Sequence, residues 1–555
     1  MLSKKYIYFV LIALCFLLYA NSLNNVFISD DIPAIVKNPL VSQPLRCWLD
    51  PASLLNSFNY LMGGYNPFIY HLTNIILHAL NTLLVFFFLS LFFKAESSFL
   101  GACLFAVHPI HAEAVTWISG RPYTITSVFI LIAYLLYYHS TTLNPVRNTK
   151  AIIGEGKISN GVKNNRRINL ARYLLCLLIF SYYIIANISF YFIFPFFLIL
   201  SDITFNRWRK TWKYWLPFLG ILVLRFSLLI NAISERISYV AKEMGGDVIR
   251  TNPIFNLTYS FFSHMGLLLW PARLTLYHEP AVISSFALKV GIISLVLLII
   301  SLPFIFKKAK ELFFGIGIFV LFLAPTYSPV MVSWLVAERY LYFPSIILSI
   351  FLAFFYERMK MGPELFFSGP IFKKNNSDPI FTSHKGQAKF KKLFAESGLA
   401  LVIFTMGSLA VRTVARNEDW KTAERFWRQT VLVSYNSPRA HNNLGDAYAQ
   451  EGNLEGAIRE FKKAIELKPD YADGYHNLAN TYHHKGDLKE AVEFYRRAVS
   501  SNPGLFESHY NLGIIYLNAG ELGLAKDHLN KALELRPDDI NARTALDLAI
   551  EKQKN

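Results

Sequence analysis

Four stretches of this sequence place acidic, basic or imidazole side chains where they can do chemistry. Asp30 and Asp31 sit together in Phe27-Ile-Ser-Asp-Asp-Ile-Pro-Ala-Ile-Val-Lys-Asn-Pro. Adjacent carboxylates repel, so such a pair can keep a proton, share a divalent cation, or offer a general base to a hydroxyl. Asp is equally at home as a helix N-cap or in an Asx turn, and spacing alone does not separate these roles. His108-Pro-Ile-His111-Ala-Glu113 suggests zinc at first sight. The two His are three apart across a Pro, Glu113 points elsewhere on a helix, and no third strong ligand follows, so no metal is expected there. Arg121 comes directly after Gly120, and a guanidinium can hold a phosphate through two parallel hydrogen bonds. Glu338-Arg339-Tyr340, between Trp334 and Pro344, offers either a second such Arg or an internal salt bridge. No P-loop, GxSxG or HExxH is present, so soluble ATPase and hydrolase chemistries find no support.

Those residues must be held by a membrane. Of the 555 residues, 53% are hydrophobic and only 17% are charged, and the imbalance is concentrated before Arg412. Apolar runs near 6–22, 70–93, 97–117, 123–139, 171–187, 189–203, 213–231, 254–270, 285–306, 312–330, 335–356 and 394–411 approach the length a bilayer needs. Lys4-Lys5 before Tyr6–Ala20, without a clear cleavage site, reads as an uncleaved signal anchor. The net charge of +17 gathers in basic clusters between the runs, which marks cytoplasmic loops and not a nucleic-acid surface. This pattern puts the N-terminus, 140–170, 204–212, 307–311 and 357–393 in the cytoplasm. Three runs between 204–212 and 307–311 cannot all cross, so either 254–270 or 213–231, which contains Arg225, is re-entrant, interfacial or no span. About eleven crossings remain, leaving the C-terminal arm outside the cytoplasm with 23–69, 108–122 and 327–343. The four cysteines show no CxxC spacing and read as small core residues.

The arm declares itself by period. Pro469, Pro503 and Pro537 recur every 34 residues, as do Leu444, Leu478 and Leu512, then Tyr448, Tyr482 and Tyr516. Ala457, Ala491 and Ala525 keep the same step, each followed four residues on by Phe461, Tyr495 or Leu529. This is the tetratricopeptide (TPR) pattern of stacked helix pairs. The expected division is a membrane domain over 1–411, a linker with half a repeat over 412–437, three repeats over 438–538 and a capping helix over 539–555. The fold class is therefore all-α, polytopic and followed by an α-solenoid. Asn442, Asn443, Asp446, His476, Asn477, Asn480, Asn511 and Asn518 are candidates for the concave groove, or are helix-packing and solvated positions.

Phe27…Asp30-Asp31…Asn38-Pro39, Asn66-Pro67-Phe68, Leu72-Thr73-Asn74…His78-Ala79-Leu80-Asn81, the run His108 to Arg121, and Ala337-Glu-Arg-Tyr-Leu-Tyr-Phe-Pro344-Ser345 occur in this order ahead of TPRs. Together they resemble the transmembrane-and-TPR O-mannosyltransferase family and its bacterial relatives. The resemblance implies a GT-C-type membrane domain that transfers a sugar from a polyprenyl-phosphate donor to a hydroxyl with inversion. It implies Asp30 or Asp31 as base; the paired carboxylates themselves leave room for a divalent cation, and the sequence establishes no cofactor. Arg121 and Arg339 would stabilise the lipid-phosphate leaving group. His108, His111, Glu113 and Glu338 would shape the cavity or bind sugar, with His278 and Glu279 on another outer polar segment. The arm would guide a polypeptide acceptor, with Asn442, Asn443, Asn477, Asn480 and Asn511 in its groove. A bacterial inner membrane is the expected location, with endoplasmic reticulum as the alternative. The chain departs from relatives at Ile185-Ala-Asn-Ile-Ser189, where a Ser-Lys-Glu-like stretch often stands. That loss leaves a catalytically inactive TPR scaffold as the competing expectation. A transporter is disfavoured by the lack of repeat symmetry between halves.

Overall fold

The computed structural model describes residues 3–142, 158–186, 191–243, 253–272, 274–276, 278, 285–327, 335–361 and 384–554. The described residues are helical and irregular, with no strand among them. The chain divides into two units, Met1–Lys421 and Thr422–Asn555. The division falls after Lys421, past the expected 411, because the last apolar helix, His384–Glu418, carries residues 412–418 within it.

Among the described residues of the first unit six helices are long and apolar enough to cross a bilayer: Lys5–Ser22, Pro67–Leu89, Ile118–Thr142, Ile168–Ile185, Leu288–Lys308 and Ala395–Glu418. A seventh crossing is available if Ala95–Val107 and Pro109–Thr116, bent by 51°, act as one. This count is below the eleven or so expected, because several apolar runs fold as shorter helices. Phe194–Thr204, Lys310–Phe322 and Ile346–Met361 have 11, 13 and 16 residues, short of the roughly 20 that a span requires. The 213–231 run lies inside a single 36-residue helix, Trp208–Glu243.

Apolar side chains left on the outside make the case for lipid. Leu288–Lys308 exposes Val290, Ile293, Val296, Leu297, Ile299, Ile300 and Phe304, and the final span exposes Leu401, Ile403, Phe404 and Val411. Water would make continuous surface of this kind costly, whereas hydrocarbon does not. Inside, Phe88, Tyr134, Phe197 and Phe314 form one aromatic core, with the rings of Phe197 and Phe314 stacked 5.7 Å apart. Asn66 starts the Pro67–Leu89 helix by accepting from the Phe68 N–H, with Pro67 at the first helical position. Pro109 ends the preceding helix at His108, since it lacks an N–H and disfavours α geometry before it.

The second unit opens with the helix Ala423–Val433, inside the stretch expected to hold half a repeat. Three helix pairs follow: Pro438–Gln450 with Leu454–Leu467, Ala472–Lys485 with Leu488–Ser501, and Phe506–Ala519 with Leu522–Leu535. Ile540–Lys554 caps the stack. Two details explain the period. Gly452, Gly486 and Gly520 end the first helix of each pair with φ of +80°, +91° and +78°, a left-handed turn that suits glycine. Gly445 and Gly513 let the paired helices close, since a Cβ would lie 2.7 Å from Phe461 Cδ1 and 2.6 Å from Leu529 Cγ.

Candidate active site

The turn from Pro109 to Gly120 is the hub of the site. It folds back tightly enough that a Cβ on Gly120 would lie 2.6 Å from the Glu113 carbonyl oxygen, so this position needs glycine. The fold-back presents Ser119 to the first loop. There the Ser119 N–H and hydroxyl donate to Asp31 Oδ1 at 2.8 and 2.5 Å, and the Ile28 N–H donates to Oδ2 at 3.2 Å. Ser29, at φ +53°, makes the left-handed turn that aims the two Asp apart. Asp31 is 1% exposed, while Asp30 faces solvent.

Burial pushes the Asp31 carboxyl up to about 7, against the pull of the Ser119 and Ile28 donors, with the Asp30 charge adding to the rise. The native state therefore holds a proton that the unfolded chain has released between the ordinary Asp value, near 4, and 7. Stability from this group is full below that window and declines as pH rises through it. Thermal unfolding of purified chain in lipid should show that decline, and Asp31→Asn should flatten it. An unchanged slope in the variant would assign the pH dependence to other groups.

Arg121 is buried and fully used by the protein. Its Nε donates to Asn74 Oδ1 at 2.7 Å, Nη1 to Asn56 Oδ1 at 2.7 Å and Nη2 to the Tyr70 carbonyl at 2.9 Å. With its amide turned to satisfy Thr73, Asn59 accepts from Nη1 and Nη2 as well, at 3.0 and 3.1 Å. The geometry makes Arg121 a brace between the loop helix Pro51–Gly63 and the Pro67–Leu89 span, with no fork left for a phosphate.

His108 and His111 are likewise turned inward. His108 Nε2 meets the Leu268 carbonyl at 2.9 Å while Nδ1 accepts from the Ile110 N–H, capping the turn. His111 Nε2 bonds Ser345 Oγ at 2.8 Å, and its ring packs against Phe105 and Tyr342 at 4.4 and 4.9 Å. Glu113 is wholly buried and paired with Arg339, whose guanidinium and backbone N–H both reach it, the latter at 2.8 Å. Arg339 also lies over Trp117 and Tyr340 and borders a narrow cavity with Tyr123, Thr126, Phe322 and Phe343. Glu338 faces Arg416 at 3.3 Å and His278 at 3.7 Å. Glu279 and residues 187–189 of the departing stretch lie outside the described residues.

The residues that sequence reasoning missed come from the end of the final span. Asn417 Oδ1 accepts from Thr116 Oγ1 at 2.9 Å, its amide donates to Leu18 O and Asn21 Oδ1, and its carbonyl accepts from Asn25. Trp420 stacks on Trp117 at 5.8 Å. The span thus ties the Pro109–Gly120 turn to the first loop. The one available signal was Arg416-Asn417 just beyond the apolar stretch 399–411, since polar groups there need partners. Among the described residues no three His, Cys, Asp or Glu side chains converge to hold a metal.

In the second unit the residues expected in the groove bond to one another. Asn477 donates to Asn442 Oδ1 at 3.1 Å, and Asn511 donates to Asn480 Oδ1 at 3.1 Å and to Tyr495 Oη at 3.0 Å. His476 joins Asn480 to Ser508. Asn443 is half-buried, and Asp446 and Asn518 are exposed.

Comparison with known proteins joins the two units. Human protein O-mannosyl-transferase TMTC3 is 25% identical over 522 residues, covering 81% of this chain and 50% of its own length. Drosophila melanogaster protein O-mannosyl-transferase Tmtc1 is 37% identical over 147 residues, 22% of this chain and 17% of that protein. Over most of its length the chain is similar to these O-mannosyl-transferases. It spans about half the length of the curated relatives it matches. Family models described as TPR repeat and tetratricopeptide repeat match residues 445–486 and 470–538. The crystal structure of MamA protein aligns with 24% of the chain and 72% of its own, at 25% identity and a TM-score of 0.23.

Proposed function

We propose that the chain is a membrane glycosyltransferase that moves a sugar, mannose by the relatives' printed name, from a polyprenyl-phosphate carrier to a polypeptide hydroxyl outside the cytoplasm. The observation that carries this reading is the division of the Asp pair into a clamped Asp31 and an exposed Asp30. Asp30 takes the acceptor proton as the hydroxyl oxygen bonds to the sugar C1. The C1–O bond to phosphate breaks, its electron pair leaves with the lipid phosphate, and C1 inverts. Arg339 supplies positive charge at the leaving phosphate, while Arg121 holds the scaffold behind Asp31. A divalent cation would draw on Asp30 with substrate oxygens, since both Asp31 oxygens already accept from Ser119 and Ile28. We place the chain in a bacterial inner membrane. The endoplasmic reticulum is the second reading, favoured by the human, mouse and Drosophila relatives.

The arm's part is to guide the acceptor, its concave Asn positions offering amides to an extended peptide backbone. Full chain in lipid nanodiscs, given radiolabelled polyprenyl-phosphate mannose and Ser/Thr peptides, is expected to label peptide. Intact donor with no labelled peptide would overturn the transfer reading. Asn480→Ala with Asn511→Ala is expected to raise the peptide KM about fivefold to tenfold with kcat unchanged, as loss of uniform binding does. An unchanged KM would remove the arm's groove from acceptor binding.

A further inference from the structure

Glu338, Arg416 and His278 meet at the end of the final span, and among the described residues each keeps a polar atom without a hydrogen-bond partner. Glu338 is fully buried and Arg416 is 6% exposed. Arg416 Nη2 lies 3.3 Å from Glu338 Oε1, His278 Nε2 lies 3.7 Å from the same oxygen, and Arg416 Nη1 binds Asp419 at 3.1 Å. Among the described residues, Glu338 Oε2, Arg416 Nε and His278 Nε2 have no hydrogen-bond partner, nor does Trp117 Nε1 close by. Buried polar atoms are ordinarily paired, so four unspent ones in one neighbourhood mark a place built for atoms from outside the chain.

The charges decide what those atoms are. Arg416 is flanked by two carboxylates, Glu338 and Asp419, and Arg412 lies within electrostatic reach of both. Two guanidiniums meet two carboxylates, so a phosphate would find no surplus cation in this cluster. Hydroxyls suit it better, because each donates to a carboxylate while accepting from a guanidinium or imidazole. The buried, stacked indoles of Trp117 and Trp420 back the cluster, with Arg416 5.9 Å from the Trp420 ring.

We propose that Glu338, Arg416 and His278 form a subsite for the hydroxyls of the transferred sugar, separate from the site of the lipid phosphate. This rests on the reading of the chain as a sugar transferase. The test is binding to full-length protein in nanodiscs, comparing polyprenyl-phosphate mannose with sugar-free polyprenyl phosphate. The unmodified chain is expected to prefer the mannosylated lipid by about tenfold or more, the scale of one or two hydrogen bonds to charged groups. Glu338→Gln keeps the shape and an acceptor for Arg416, and Arg416→Lys keeps the charge beside Asp419. Each is expected to erase most of the preference while leaving the Kd of the sugar-free lipid within about twofold. No preference in the unmodified chain, a preference that survives both variants, or equal weakening of both lipids would overturn the subsite. Sugar-selective binding without transfer would sink the transferase reading and leave the subsite standing. Transfer without sugar-selective binding would do the reverse.

Discussion

Replacing Asp30 by Asn is expected to cut sugar transfer by about a hundredfold to ten-thousandfold, the usual contribution of a positioned general base. The melting temperature should stay where it is, because Asp30 is exposed and surface substitutions of this kind cost little. Asp31→Asn should behave differently. It turns an acceptor toward Ser119 or toward Ile28 but not both, since the amide nitrogen can only donate. The loop from Phe27 to Val36 then loosens, and transfer falls together with stability. Measuring kcat and thermal unfolding on both variants separates the two roles. Full activity in Asp30→Asn with activity lost in Asp31→Asn would reverse the assignment and make the buried carboxylate the base.

That division of labour was not legible in the sequence, and the reason is distance along the chain. The Asp pair announces itself by composition, but what buries one member is Ser119, 88 residues later. Asn417 reaches Thr116 across 301 residues, and no local pattern signals such a contact. Arg121 shows the opposite failure. Its residue type correctly suggests a five-donor fork, yet Asn56, Asn74 and the Tyr70 carbonyl consume that fork, and only the fold reveals that they converge. His108 and His111 are similar, with chemistry visible in the letters but spent on Leu268 and Ser345. The repeats were legible almost to the residue, because each 34-residue unit carries its own turn glycine, small residue and closing Pro. Span counting sat between these extremes. Hydropathy registers an apolar run, but tertiary packing fixes where each helix stops, and Pro109 breaks one run at His108.

Arg339→Met is expected to destabilise the membrane unit by about 3–5 kcal/mol, the cost of stripping one partner from a buried ion pair. Glu113 has no exposed atom, and both its oxygens take Arg339 donors, one through the guanidinium and one through the backbone N–H. The substitution removes the guanidinium and leaves a carboxylate facing the neighbouring charge of Glu338, which raises the Glu113 site's energy further. Methionine fills much of the volume, so packing against Trp117 and Tyr340 is largely kept and the measured loss reports charge. Adding Glu113→Gln should return most of that stability, because a neutral amide still accepts from the Arg339 backbone N–H and no longer needs a cation. Denaturant unfolding of the four proteins in lipid gives the double-mutant cycle. A double variant no more stable than Arg339→Met would mean the pair is not the source. The turn carrying Ser119 is anchored through Glu113, so Glu113→Gln alone, which keeps the Arg339 guanidinium, read in transfer assays shows whether the pair also sets the position of Asp31.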